Sequence, residues 1–112
     1  MNTKKKTLNF KFKSKVFVWV SPNSHTKDNS AWRFARLPEK ISAKIKELQK
    51  EKPRRGWGAV YVKAKIGHSE WTTSIFPDRH SAVYLLPLKK EIRYEENLYD
   101  GIDVNISLEV WF

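Results

Sequence analysis

The 112-residue sequence contains no cysteine, a single methionine and only four glycines. Without cysteine there can be no disulfide bond and no thiolate metal site, and the absence favours a cytoplasmic location. No stretch approaches the ~20 apolar residues of a membrane-spanning helix. No apolar run follows the basic N-terminal residues, as a signal peptide would require. We therefore expect a cytoplasmic protein with no membrane partner.

The familiar motifs of catalysis, metal binding and phosphate binding are also missing. His25, His68 and His80 share no ligand spacing with one another or with an acid, so we expect no metal. Gly56-Trp57-Gly58 lacks the spacing and the lysine of a phosphate-binding loop. Asp78-Arg79-His80-Ser81 has suitable residue types for nucleophilic catalysis, but neighbours in one turn do not define a catalytic arrangement. The sequence predicts no cofactor, no catalytic residue and a non-enzymatic role.

What the chain has in excess is positive charge, with a formal net charge of +10 at pH 7. Such a balance favours anionic partners, here nucleic acid or an acidic protein, because charge governs association rather than fold. The alternative is that the lysines serve only solubility. The oligomeric state, monomer or small homo-oligomer, stays open.

The clearest structural pattern lies between Gly56 and Pro77. Apolar residues occupy every second position from Val60 to Ile66, then Gly67-His68-Ser69-Glu70 interrupts the pattern, and a second run follows from Trp71 to Phe76. Alternation of this kind predicts half-buried strands, and a glycine-containing break of about four residues predicts a β-hairpin.

Similar patterns predict the other elements of a mainly β protein. The strands are expected at 8–20, 31–37, 82–86 and 104–111, a packed helix after Leu37-Pro38, and a short helical turn at 88–94. About six short strands around one core favour a small closed or nearly closed β-barrel, which leaves no exposed edges. We predict a single domain over residues 8–112 and a flexible basic N-terminus over residues 1–7.

Several motifs, in this order, resemble those of a family of small bacterial domains named DUF1905, for domain of unknown function. They are Trp32-Arg33-Phe34, Leu37-Pro38, Gly56-Trp57-Gly58, Trp71 to Pro77, Ile92-Arg93, and Gly101 with Val104, Ile106, Leu108 and Glu109. The resemblance implies a small double-split β-barrel, distantly similar to AbrB-like and MazE-like DNA-binding proteins, and it carries over no catalytic residue. The chain departs from the family pattern at Gly101-Ile102, where Gly-Asp is usual and Asp103 comes one place later.

Basic residues interleaved with aromatic ones are the main functional signal. Neutralised phosphates release counterions, and tryptophan can stack on bases. The candidate nucleic-acid-binding residues are Lys11, Lys13, Lys15, Arg54, Arg55 and Trp57. The alternative is that the tryptophans are core or rim residues and that the lysines protect exposed strand edges.

A second hypothesis is a small molecule or peptide bound in the mouth of the barrel, with Trp32, Arg33, Ser74 and Arg93 as the candidate residues. Arg93 has two readings, because it can hold a carboxylate or backbone carbonyls inside the fold, or face a ligand. An enzyme of unknown class is the third hypothesis.

Overall fold

A computed structural model of the protein describes residues 7–19, 32–49, 58–78 and 81–111. Within these ranges it contains six strands and two helices, as the sequence patterns predict. In chain order they are β1 (Thr7–Trp19), β2 (Trp32–Arg36), α1 (Glu39–Gln49), β3 (Val60–Ile66), β4 (Ser69–Pro77), β5 (Tyr84–Pro87), α2 (Lys90–Glu95) and β6 (Asp103–Trp111).

The strands form a closed antiparallel barrel in the order β1-β2-β5-β4-β3-β6. The long first strand belongs to both halves of the barrel. It pairs with β6 from Thr7 to Lys15 and with β2 from Val16 onward. The prediction of a small, closed, mainly β barrel with one packed helix and one short helical turn is confirmed.

Alternation along the strands explains which side chains fill the barrel. In β3 the burial pattern alternates strictly, so that Val60, Val62, Ala64 and Ile66 point inward. β6 contributes the matching inward set on the neighbouring strand, from Val104 to Val110. Burial of these apolar surfaces contributes about 25 cal/mol per Å², which makes the barrel interior the main source of stability.

The β3–β4 hairpin is tighter than the sequence suggested. Ile66 pairs with Ser69, so the turn consists of Gly67 and His68 alone and the expected four-residue break is wrong. Gly67 has φ of +59°, a conformation that costs a side-chain-bearing residue energy and that is typical of the first central position of a type II′ turn.

Helix α1 is anchored to the start of β5. Ile45 and Ser42 are buried on its inner face. The Ser42 hydroxyl oxygen accepts a hydrogen bond from the backbone N–H of Tyr84 at 3.0 Å, which satisfies a polar group that the barrel wall would otherwise leave unpaired.

Some predictions fall outside the described ranges. They concern Arg54, Arg55 and Trp57, and the N-terminal residues 1–6. Thr7 is the first residue of β1, whereas the sequence pattern places it in the flexible N-terminus. Among the described helices, none has the length and apolar character needed to cross a membrane.

Candidate functional site

The barrel wall is split between β4 and β5. These strands pair at only two positions, Phe76 with Leu85 and Pro77 with Tyr84. The backbone N–H of Leu88 donates a hydrogen bond to β2, and the backbone carbonyl of Tyr84 accepts one from the residue that follows β2. By alternation, the backbone of Leu85 and of Pro87 faces β4. Proline has no N–H to donate, so the ladder ends where Pro87 faces β4.

A cavity of about 470 Å³ lies along this opening. We call it the split cavity. Its aromatic walls are Trp32, Trp71 and Phe76. The Trp32 ring is held in place by stacking on Phe34, with ring centroids 5.9 Å apart and planes only 10° from parallel. The volume is in the range of small-ligand pockets, which are typically ~300–1,000 Å³.

Four basic side chains line the split cavity, and no acidic side chain does so in the part of the chain that the structure describes. The basic residues are Arg33, Lys89, Lys90 and Arg93. Lys89 and Lys90 are exposed, whereas Arg93 is half-buried. Cations at the rim and flat apolar walls are complementary to an anion that carries an apolar part.

Arg33 is the most buried of these cations, with a side chain only 6% exposed. Its Nε lies 3.1 Å from Oδ1 of Asp100, and a second nitrogen donates to Oδ2 at 3.4 Å. Asp100 borders a neighbouring cavity of about 320 Å³, which shares Arg33 and Arg93 with the split cavity. The carboxylate that compensates Arg33 therefore lines the neighbouring cavity and not the split cavity.

Arg93 is held in place by a hydrogen bond to the segment that precedes helix α2. Its Nε donates a hydrogen bond to the backbone carbonyl of Leu88 at 3.1 Å. Burial, followed by the nearby charge of Arg33, lowers the pKa of Arg93 below its usual value. The guanidinium groups of Arg33 and Arg93 are close enough to repel each other. An anion bound between the two groups would relieve that repulsion.

Trp71 presents an unusual buried polar atom. Its side chain is 7% exposed, and its indole Nε1 is buried without a hydrogen-bond partner among the described residues. An unpaired buried donor costs about 1–3 kcal/mol. Because the nitrogen itself is buried, this cost falls on the stability of the barrel.

Glu96, at the C-terminal end of α2, is hydrogen-bonded to the region of the β3–β4 turn. The Glu96 carboxylate accepts hydrogen bonds from the Ser69 hydroxyl at 2.7 Å and from the backbone N–H of His68 at 3.3 Å. A Cβ on Gly67 would collide with Oε1 of Glu96, so any other residue there would displace this carboxylate. The contact joins the beginning of β4 to the end of α2.

A second group of basic residues lies on the outside of the barrel. We call this surface the lysine face: the outward side chains Lys11, Lys13, Lys15, Lys63 and Lys65, with the carboxylates Glu70, Asp103 and Glu109 on neighbouring strands.

Carboxylates on the adjoining strands neutralise much of the lysine face. Lys15 Nζ lies 2.9 Å from the Asp103 carboxylate, and Lys63 Nζ lies 3.4 Å from Glu70. The hydrogen bond and charge of Lys15 lower the pKa of Asp103 below its usual value. Three carboxylates among five lysines leave little uncompensated charge for a phosphate backbone.

The structure brings together three of the four residues that the sequence suggested for a pocket. Trp32, Arg33 and Arg93 line the split cavity. Ser74 does not, although Thr73 and Phe76 on the same strand do. Lys11, Lys13 and Lys15 share one outward face as expected.

Sequence reasoning missed Trp71, Phe76, Lys89 and Lys90 as lining residues. A signal was present: Pro87 interrupts a strand and two lysines follow almost at once. In the described ranges no group of three or more histidine, aspartate or glutamate residues could hold a metal ion.

The family expected from the motifs is confirmed by comparison with known proteins. A family model described as "Domain of unknown function (DUF1905)" matches residues 12–108, from within β1 to within β6. No curated protein matches the chain. Because the match covers most of the sequence, the chain belongs to the DUF1905 family.

Proposed function

We propose that the protein is a non-catalytic binding module that takes an anionic ligand with a flat apolar part into the split cavity. The observation that carries the proposal is the lining: four basic and three aromatic side chains without an acidic one among the described residues.

The composition of the lining also supports a binding role over a catalytic one. Histidine, carboxylate, serine and cysteine side chains, which are frequent in acid–base and nucleophilic catalysis, are not among the described residues that line the split cavity. The lysines and the threonines Thr72 and Thr73 can also act as nucleophiles, but the described lining offers them no histidine or carboxylate as a base.

A pair of dyes that differ in one charged group tests the proposal. Anilinonaphthalene sulfonate combines a flat apolar body with a sulfonate, and phenylnaphthylamine has the same body without the charge. We expect the sulfonate to bind more tightly. We also expect its titration to shift the Trp71 indole signal in a nitrogen–proton correlation spectrum, which also shows that the protein stays folded.

Two charge-matched variants locate the site. The double variant Lys89→Gln/Lys90→Gln should weaken sulfonate binding by about tenfold, since each nearby charge contributes a fraction of a kilocalorie to about 1 kcal/mol. The control Lys11→Gln/Lys13→Gln removes the same net charge from the lysine face and should leave affinity unchanged. Equal affinity for the two dyes, or equal loss in the two variants, would reject the split cavity as the site.

A second candidate function is nucleic-acid binding on the lysine face. Lys11 and Lys13 face Ser107 and Asn105 on β6 and so have no carboxylate directly opposite. Fluorescence anisotropy with labelled single- and double-stranded oligonucleotides tests it. A binder that contacts six or more phosphates should lose ~10³-fold in affinity between about 50 and about 200 mM salt, and Lys11→Gln/Lys13→Gln should weaken it. No binding at low salt rejects it.

A further inference from the structure

We propose that the ligand of the split cavity is the C-terminal end of an extended peptide, which adds as a strand to the open edge of β4. The inference rests on the proposed function and specifies the chemical class of the ligand. It follows from the backbone of β4 and from the charges at the split.

The open edge of β4 is defined by strand alternation. The two-residue turn makes Ile66 and Ser69 a mutually hydrogen-bonded pair, so the backbones of Trp71 and Thr73 also point toward β3. The backbones of Thr72 and Ser74 then point the other way, toward the split. Phe76, in the same phase, does pair with Leu85 on that side.

No strand in the described ranges pairs with β4 at Thr72 or Ser74 on the side of the split. Their N–H and carbonyl groups therefore form a short edge beside an aromatic-lined cavity. An edge of this kind is a template for strand addition, in which backbone hydrogen bonds provide affinity and pockets for alternate side chains provide specificity. Pro87, which faces this edge from β5, has no N–H to donate to it.

The charges at the split identify which part of a peptide would enter. Lys89, Lys90 and Arg93 gather at the cavity without a lining carboxylate among the described residues. An extended peptide carries one group that matches these cations, the carboxylate at its C-terminus.

Hydrogen exchange on the full-length protein provides the test. The probe is a short peptide of alternating threonine and valine with a free C-terminal carboxylate. We expect it to slow amide exchange at Thr72 and Ser74. The amides of Trp71 and Thr73 already bond to β3, so they should be protected with or without peptide and serve as internal controls.

Two modified peptides separate the contributions. Amidation of the C-terminus removes the charge, and N-methylation at alternate residues removes the N–H groups that would bond to β4. Each change should weaken binding by about tenfold or more, because each removes at least one charged contact or more than one hydrogen bond.

The outcomes distinguish this inference from the proposed function. If anilinonaphthalene sulfonate binds the split cavity but the peptide does not, strand addition is wrong and the anion-binding role stands. If the N-methylated peptide binds as tightly as the unmodified one, the backbone edge is not used and strand addition is again wrong. If neither the dye nor the peptide binds, both proposals fail.

Discussion

The split cavity and the lysine face are both built from basic side chains on a β-barrel, but they differ in what lies opposite those side chains. On the lysine face, ladder neighbours supply Asp103, Glu70 and Glu109. No described carboxylate lines the split cavity. Asp100, which pairs with Arg33, lines the neighbouring cavity instead. Two clusters of like charge therefore differ in how far they are neutralised, according to where the opposite charges lie.

The two regions also differ in how their backbone is satisfied. Behind the lysine face, β6 is paired on both sides, with β1 and with β3. At the split, β4 has a second neighbour only at Phe76 and Pro77, and its residues before Phe76 have none in the described ranges. A complete ladder supports a solvated charged surface, whereas an interrupted one leaves donors, acceptors and space for a ligand.

The largest expected effect comes from removing the aromatic wall of the split cavity. Trp71→Ala should lower the free energy of unfolding by about 3–5 kcal/mol, as for other buried aromatic truncations. Trp71→Phe should cost only about 1 kcal/mol or less, because it removes the unpaired N–H together with part of the ring. Urea unfolding of both variants measures the difference. A large loss in Trp71→Phe would mean that the indole N–H has a partner in solution.

The next effect concerns the contact between Gly67 and Glu96. Gly67→Ala should cost about 2 kcal/mol, since the new Cβ displaces the Glu96 carboxylate and the residue keeps an unfavourable φ. Glu96→Ala should cost about 1 kcal/mol through the lost hydrogen bonds. The double variant should cost less than the sum, because both changes break the same contact. Strict additivity in denaturant unfolding would contradict the proposed clash.

A smaller effect sharpens the electrostatic contrast. Asp100→Asn should destabilise the fold by about 1 kcal/mol, because Arg33 stays buried and loses a charged partner. It should also strengthen sulfonate binding, since one opposing charge leaves the neighbourhood of the split cavity. The matched variant Glu109→Gln changes net charge equally on the lysine face and should leave that affinity unchanged. Calorimetric titration of the two variants compares them; equal shifts would show that only net charge matters.

The smallest effect is the pH dependence of the Lys15–Asp103 pair. The folded pKa of Asp103 lies below its usual value of 3.8, so the carboxylate stabilises the fold above that pH. This contribution is lost as the pH falls through the folded pKa. Asp103→Asn should therefore unfold slightly more easily than the native chain at neutral pH, and the difference should vanish in acid. A difference that persists in strong acid would exclude the ion pair as its source.

Most of the barrel was predictable because burial on one side of a strand imposes a period of two on the sequence. Val60 to Ile66 carries that period and is β3, and the motifs from Trp32 onward were sufficient to identify the family. The turn length at Gly67 was misjudged, since Ser69 and Glu70 look like turn residues but are already paired in the ladder.

The candidate site was only partly predictable. Trp32, Arg33 and Arg93 were identified, but nothing in their spacing shows that Trp71 and the Lys89–Lys90 pair lie beside them. These residues come together because β5 lies between β2 and β4 in the barrel, an order that follows from long-range pairing and not from neighbours along the chain.

The sequence by itself determined that this protein is a single antiparallel barrel with a basic surface, because alternation, turn residues and charge are local properties that survive without knowledge of contacts. Only the tertiary structure decided which cations are neutralised and which line a cavity. That distinction depends on strand register and on the backbone donor that Pro87 fails to provide to β4, and both are set by pairing between residues distant in the chain.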